Sequence, residues 1–163
     1  MAGTETRREL SQVRAMLERW VLVTGGAQRL GRETCLAFAR AGWHVLCHYQ
    51  RSHAGALETC AEAQALGQRA QALQAELSDD AARESLMQQA LHISGGRLGA
   101  VVNNASSFEP DPGLDFSPAL LRRQLEVNLV APLHLGRLLA QHAQTLAVDT
   151  AAALIHVLDQ KVN

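Results

Sequence analysis

Two adjacent glycines, Gly25 and Gly26, follow a short apolar run and precede a helical pattern. Glycine adopts a positive φ readily and lets the backbone approach a ligand closely. The N-terminus of the following helix offers unpaired N–H groups and a partial positive charge, and both attract phosphate. Residues 21–31 therefore predict a strand, a glycine turn and a helix that bind the pyrophosphate of a dinucleotide. The alternative interpretation is an ordinary turn in an α/β protein.

A second group of polar residues, Gln50, Arg51 and Ser52, follows the next predicted strand. An NAD-binding fold usually has Asp or Glu at this point, where the carboxylate binds the ribose 2′-hydroxyl. No acidic residue occurs between Glu33 and Glu58. Because a guanidinium can bind a phosphate through two hydrogen bonds, Arg51 favours a 2′-phosphate and hence NADP(H). The alternative interpretation of Arg51 is a solvated surface charge.

Alternating strands and helices are predicted to position these groups. Apolar runs predict strands over 21–23, 44–49, 69–77, 98–102 and 151–158. Helical periodicity covers 29–41, 54–65 and 118–146, and a further helix to about residue 93 is predicted to be capped by Ser78. Such alternation predicts right-handed βαβ units and an α/β fold with a doubly wound, Rossmann-like parallel sheet. This domain covers 20–163, after an N-terminal extension, 1–19, in which a short amphipathic helix is predicted.

The composition bounds the class of protein. A chain of 163 residues with 47% apolar residues predicts one globular domain. A net charge of −1 gives no reason to expect a nucleic-acid partner, and the absence of a long apolar run predicts no membrane span. The three cysteines lack C-x-x-C spacing, so Cys35 and Cys47 are expected to be small core residues in a reducing, cytoplasmic environment. No metal site is expected.

Six motifs, in order, resemble those of the short-chain dehydrogenase/reductase superfamily. In the loop T-G-x-x-x-R-L-G, Arg29 stands where the superfamily usually has its middle glycine, and this resembles the pteridine reductase branch. The other motifs are H-Y-Q-R-S (48–52), A-E-L-S (75–78), N-N-A-S-S-F (103–108), V-N-L-V-A-P (127–132) and L-D-Q (158–160). The resemblance covers the chain from about residue 20 to its end.

This resemblance implies an NADPH site at the glycine loop and the strand ends. The cofactor-binding residues that it implies are Gly25, Gln28, Arg29, Leu30, Gly31, Gln50, Arg51, Ser52, Glu76, Leu77, Asn104, Ala105 and Ser106. Glu76 stands where the family more commonly has Asp near the adenine, and Ser106 is expected near the nicotinamide. Asn104 and its neighbours follow the fourth predicted strand, at the edge where ligands of doubly wound sheets bind.

The resemblance also implies substrate-binding and catalytic residues. Phe108 is expected to stack on a pterin ring, although it could instead fill the core beneath the following loop. Arg29 is expected to contact a cofactor phosphate or an anionic or carbonyl-bearing edge of the substrate. Asn128 corresponds to the asparagine that holds a water in the family's proton relay, while its alternative role is structural. Asp159 corresponds to a position that is serine in most of the superfamily and aspartate in pteridine reductases, where a carboxylate can pass a proton.

The superfamily's general acid is the tyrosine of a Y-x-x-x-K pair, which is expected about a dozen residues beyond Asp159. This chain ends at Asn163, and its only tyrosine and lysine are Tyr49 and Lys161. The expectation is therefore an NADPH-dependent reductase of small, pterin-type molecules, homo-oligomeric at full length, with this chain lacking the acid and the later strands of the sheet. The alternative is a non-catalytic form that binds a nucleotide or a partner through the edge of the fifth strand and an uncovered apolar helix face. That face is made of Leu133, Leu135, Leu138 and Leu139.

Overall fold

The computed structural model describes residues 18–110, 112–146 and 151–158. Its sheet contains β1 (Trp20–Val23), β2 (His44–Tyr49), β3 (Ala70–Gln74), β4 (Leu98–Asn103) and β5 (Ala153–His156). The strand order is β3-β2-β1-β4-β5, and every neighbouring pair is parallel. The winding direction reverses between β1 and β4, and ligands of doubly wound sheets bind at such a reversal. The predicted α/β fold class is confirmed.

Helices cover both faces of the sheet. They are α1 (Arg29–Arg40), α2 (His53–Ala65), α3 (Asp80–Ser94), α4 (Pro118–Leu125) and α5 (Ala131–Gln144). Val21 and Val23 of β1 belong to the core on the α1 and α2 side, while Trp20 and Leu22 belong to the core under α3 and α5. β1 is thus buried on both faces, as expected for a central parallel strand.

The long C-terminal helical tract is interrupted. A π-helical turn, Glu126–Val130, joins α4 to α5, so the predicted helical tract over 118–146 contains a change of helix type that the sequence analysis did not predict. A π-turn shifts the hydrogen-bond ladder by one residue, and such turns are frequent at functional sites. Side-chain periodicity does not reveal this shift, because α4 has no buried residue against which the buried face of α5 could be compared.

Two predicted boundaries near β3 also differ from the structure. Ser78 does not cap α3: the cap is Asp79, whose carboxylate accepts the Ala82 N–H at 2.7 Å. The Ser78 N–H instead donates to Glu76 Oε1 at 3.1 Å. β3 ends at Gln74 rather than at residue 77, because β2 ends at Tyr49 and offers no further pairing partner.

The predicted uncovered leucine face was wrong in part. Leu135 and Leu139 are 0% and 3% exposed, because this face of α5 packs on the sheet and on α3. Leu138 is partly buried against the same core. Leu133 is exposed, as are Leu125 and Leu129 earlier in the α4–α5 tract. All four residues of β5 are also exposed.

Cys35 and Cys47 are buried and unbridged, as predicted, and so is Cys60. Within the described ranges, no helix is both long enough and apolar enough to span a bilayer. The predicted N-terminal amphipathic helix lies outside the described residues, except for its last positions.

Candidate functional site

A cleft of about 500 Å³ lies at the carboxyl ends of the first four strands. The glycine loop, the ends of β2, β3 and β4, and helix α4 form its walls. The sequence-predicted residues that line it are Gly25, Gln28, Arg29, Leu30, Gly31, Gln50, Arg51, Glu76, Leu77, Asn104, Ala105, Ser106 and Phe108. The structure therefore brings together residues from four separate motifs. Ser52 does not line the cleft, and it occupies the N-cap position of α2.

The glycine loop is packed too tightly for side chains. Gly25 has a φ of +65°, in the region that favours glycine. A Cβ added to Gly31 would lie 2.0 Å from the Gly25 carbonyl oxygen and 2.6 Å from Asn104 Nδ2. The start of α1 therefore lies directly against the loop, and its first turn, which has unpaired N–H groups, lines the cleft.

Thr24 and Asn104 join this loop to the end of β4. The Thr24 hydroxyl donates to the Val102 carbonyl at 3.2 Å and accepts the N–H groups of Asn104 and Ala105, each at 3.0 Å. Asn104 Nδ2 donates to the carbonyls of Thr24 and Gly25 at 3.0 and 3.2 Å. The two strand ends are thus one hydrogen-bonded unit, and Asn104 shapes the cleft as well as lining it.

His48 is a lining residue that the sequence analysis missed. Its Nδ1 accepts the Gly25 N–H at 3.1 Å, so the ring proton lies on Nε2, which donates to the Ala75 carbonyl at 3.1 Å. Burial lowers the pKa of His48 to about 4, and the imidazole is therefore neutral at neutral pH. The available signal was a histidine directly after the apolar residues 45–47 of a buried strand, since buried polar groups need partners.

Arg29 and Arg51 bring positive charge to the cleft. Arg29 has a φ of 49° and is the one non-glycine residue with a positive φ in the described part of the chain. That conformation costs an L-residue about 1–2 kcal/mol. Neither guanidinium has an ion-pair partner within 4.0 Å among residues 18–110, 112–146 and 151–158. Both charges are therefore available to an anionic ligand.

Glu76 anchors a polar cluster at the end of β3. Gln50 Nε2 donates to Glu76 Oε2, and the Ser78 N–H donates to Oε1. Arg123 Nη2 lies 3.9 Å from Glu76 Oε2, and its Nη1 lies 3.8 Å from Glu109 Oε1. Burial raises the pKa of Glu76, but the Ser78, Arg123 and Gln50 contacts outweigh burial and hold the pKa below its ordinary value. Arg123 was missed in the sequence, because its partners are distant in the chain.

The loop after β4 is held by the α4 tract. Asn128 exchanges two hydrogen bonds of 2.8 Å with the backbone of Ser107, and Gln124 Nε2 donates to the Glu109 carbonyl at 3.0 Å. Phe108 lies between these anchors with its side chain 80% exposed, so it does not fill the core. The Asn128 amide thus has a structural role here, and its catalytic role stays a prediction. Asp159 lies outside the described residues.

Arg83 is a buried residue that supports the cleft from behind. Its guanidinium is 0% exposed and donates to the Leu77 carbonyl, to Glu126 at 3.2 Å and to His134 Nδ1 at 3.1 Å. These bonds tie α3 to the π-turn and to α5. Arg83 therefore fixes the position of Leu77 on one side of the cleft and of the π-turn on the other.

Known proteins are similar to this chain in sequence and in fold. The sequence model of the short chain dehydrogenase family matches residues 19–155. The short-chain dehydrogenase/reductase FrzI of Cladobotryum sp. is 30% identical and aligns with 78% of this chain and 49% of its own. Pteridine reductase 1 of Leishmania tarentolae is 32% identical, with 85% of this chain and 60% of its own aligned.

A crystal structure of a short chain dehydrogenase from Burkholderia cenocepacia in complex with NADP superposes with a TM-score of 0.73 and 31% identity. The superposition covers 77% of this chain and 50% of that one. The chain thus spans about half the length of the relatives that it matches. The match over 19–155 and the shared sheet identify the chain as a member of the short-chain dehydrogenase family.

Proposed function

We propose that the cleft binds NADPH and serves the reduction of a small, flat, pterin-type substrate. The observation that carries this proposal is Arg51, a guanidinium without a carboxylate partner in the described residues, at the end of β2. That is the position at which doubly wound folds distinguish a ribose 2′-hydroxyl from a 2′-phosphate. A solved relative from Burkholderia cenocepacia contains NADP, which supports the same cofactor.

The residues present fit a dinucleotide. Because Gly31 has no Cβ, the first turn of α1 packs against the Gly25 backbone and lines the cleft, where its N–H groups suit a pyrophosphate. Arg51 would bind the 2′-phosphate and Arg29 the pyrophosphate, since both guanidiniums are otherwise unpaired in the described ranges. The chemistry that NADPH supplies when bound is hydride donation.

The substrate class is proposed from Phe108. Its exposed ring is presented to the cleft by a loop that Asn128 and Gln124 hold in place. A flat heteroaromatic substrate gains about 0.5–1.5 kcal/mol from stacking on such a ring, beyond the burial of its area. The similarity to pteridine reductase 1 supports a pterin, while other relatives act on other substrates by name, such as L-rhamnose 1-dehydrogenase of Sphingomonas sp.. Asp159 and Asn128 are proposed, from the family resemblance, to take part in proton delivery.

The test is a calorimetric titration of the 163-residue chain with NADPH and with NADH. Arg51→Ala should weaken NADPH binding roughly tenfold to a hundredfold and leave NADH binding unchanged, because hydrogen bonds to charged groups contribute about 1.5–3 kcal/mol. Arg40→Ala is the matched control, since Arg40 lies exposed at the other end of α1. Equal affinity of the wild-type chain for both nucleotides would overturn the NADPH assignment.

A second candidate function is supported by the exposed apolar surface. The four exposed residues of β5 and the exposed leucines Leu125, Leu129 and Leu133 favour a chain that binds nucleotide and docks on a partner, including a second copy of itself. Two measurements separate the candidates: the molecular mass in solution, and NADPH oxidation with a dihydropterin. Turnover supports the reductase, and a complex without turnover supports the docking function. A cytoplasmic location belongs to the same proposal and is tested by tagging the protein in cells.

A further inference from the structure

Arg123 is a third guanidinium in the cleft, and its surroundings differ from those of the other two. It projects from α4 and lines the cleft together with the buried apolar residues Leu77 and Val127. Its side chain is 36% exposed. Arg29 and Arg51 come from the loop after β1 and the end of β2, whereas Arg123 faces the end of β3.

Arg123 is already neutralised by carboxylates on two sides. Glu76 lies 3.9 Å from its Nη2, and Glu109 lies 3.8 Å from its Nη1. Glu76 is itself held in place by Gln50 and Ser78. The three charged groups together carry a net charge of −1, so a phosphate is repelled here, in contrast to Arg29 and Arg51.

Part of the Arg123 guanidinium remains available to a ligand. Its contacts with Glu76 and Glu109, at 3.9 and 3.8 Å, are longer than hydrogen bonds, and 36% of its side chain is exposed. The apolar residues Leu77 and Val127, which are largely buried, line the same cleft. A partly desolvated guanidinium face next to apolar side chains is suited to stacking on an aromatic ring.

The sheet order indicates which ring would reach it. In the NADPH site proposed above, the pyrophosphate would lie after β1 and the 2′-phosphate after β2, so the base attached to that ribose would lie towards β3, the next strand in the order β3-β2-β1. We infer that Arg123 forms one wall of the adenine pocket and stacks on the adenine base. This inference rests on the proposed NADPH site.

The test compares adenosine 2′,5′-bisphosphate, adenosine 5′-monophosphate and nicotinamide mononucleotide by calorimetry. Arg123→Ala should weaken the binding of both adenine nucleotides by the same factor, about threefold to tenfold, and leave the affinity for nicotinamide mononucleotide unchanged. Arg123→Lys should lose most of the same affinity, because an ammonium keeps the charge but has no flat face. Arg122→Ala is the matched control, since Arg122 is the neighbour of Arg123 in the chain but does not line the cleft.

The outcomes separate the inference from the function on which it rests. Wild-type protein that binds no adenine nucleotide overturns the NADPH proposal itself. Wild-type binding that Arg123→Ala does not change overturns the stacking inference alone. A loss confined to the 2′,5′-bisphosphate, or full recovery by Arg123→Lys, also overturns it, because both results indicate a contact of charge with phosphate.

Discussion

Asn128 binds both backbone groups of Ser107: its Oδ1 accepts the Ser107 N–H and its Nδ2 donates to the Ser107 carbonyl, each at 2.8 Å. Asn128 lies in the π-turn, and Ser107 lies in the loop after β4. One side chain thus fixes the backbone immediately before Phe108. The position of the proposed substrate-stacking ring therefore depends on the helical tract on the opposite side of the loop.

Asn128→Ala should release this loop. Two hydrogen bonds are lost near the surface, and the free energy of unfolding should fall by about 1–2 kcal/mol, measured by urea denaturation. Amide hydrogen exchange at 106–109 should accelerate. Asn128→Asp is the matched variant, because a carboxylate accepts the Ser107 N–H but repels its carbonyl. Unchanged exchange at 106–109 in both variants would show that the loop is held by other contacts.

Arg29→Gly should have opposite effects on stability and on binding. Glycine adopts the φ of 49° without strain, so the free energy of unfolding should rise by about 1 kcal/mol, measured by thermal unfolding. Loss of the guanidinium should weaken NADPH binding. Arg29→Ala separates the two effects, because it loses the charge and keeps the strained φ. A variant that binds NADPH as well as the wild type would remove Arg29 from the proposed cofactor site.

Gly31→Ala should disrupt the glycine loop although alanine favours helices. The added Cβ would lie 2.0 Å from the Gly25 carbonyl oxygen, and that backbone must move. We expect a loss of stability of about 1–3 kcal/mol in thermal unfolding, and loss of NADPH binding. Gly113→Ala is the control, since an added Cβ there meets no atom within 4 Å. Equal stability of the two variants would contradict the packing described for the loop.

Acid should destabilise the fold through His48. Its pKa is about 4 in the folded protein, below the ordinary 6.5, so the unfolded chain takes up this proton first as the pH falls. The stability is complete above pH 6.5 and falls by up to about 3 kcal/mol between pH 6.5 and pH 4. In the variant His48→Asn, the new side chain can still accept the Gly25 N–H but does not titrate.

The measurement is the free energy of unfolding of the wild type and of His48→Asn across this pH range. The difference between the two proteins isolates His48, because His44 and His134, whose pKa values burial also lowers, are present in both. Parallel pH profiles would assign the acid sensitivity to these other groups.

Local signals predicted the framework and most of the cleft. The glycine loop, the alternating strands and helices, and Gln50 and Arg51 at a strand end are each contained in a few consecutive residues. Groups that depend on distant partners were missed. His48 meets Gly25 and Ala75, Arg123 meets Glu76 and Glu109, and Arg83 meets Glu126 only after the sheet has formed.

The leucines of α5 illustrate a second limit. All three of Leu133, Leu135 and Leu139 are leucines, so the sequence describes them alike. It does not show that Leu135 and Leu139 are buried while Leu133 is exposed. Which side of the helix faces the sheet is decided by its neighbours, here α3 and β4. The sequence analysis missed the π-turn and the Asp79 cap for a similar reason, since shifts of one residue leave the sequence pattern almost unchanged.

The bonds of Thr24 also bear on how the protein is made. Its hydroxyl binds residues that lie 78, 80 and 81 positions later in the chain. At a synthesis rate of about 5–20 residues per second, a ribosome needs roughly 4–16 s to supply them after Thr24 has been added. The glycine loop of the nascent chain therefore lacks its final hydrogen-bond partners until β4 has emerged from the ribosome. Such long-range closure slows folding, and chaperones that shield apolar strands can act on β1 during this interval.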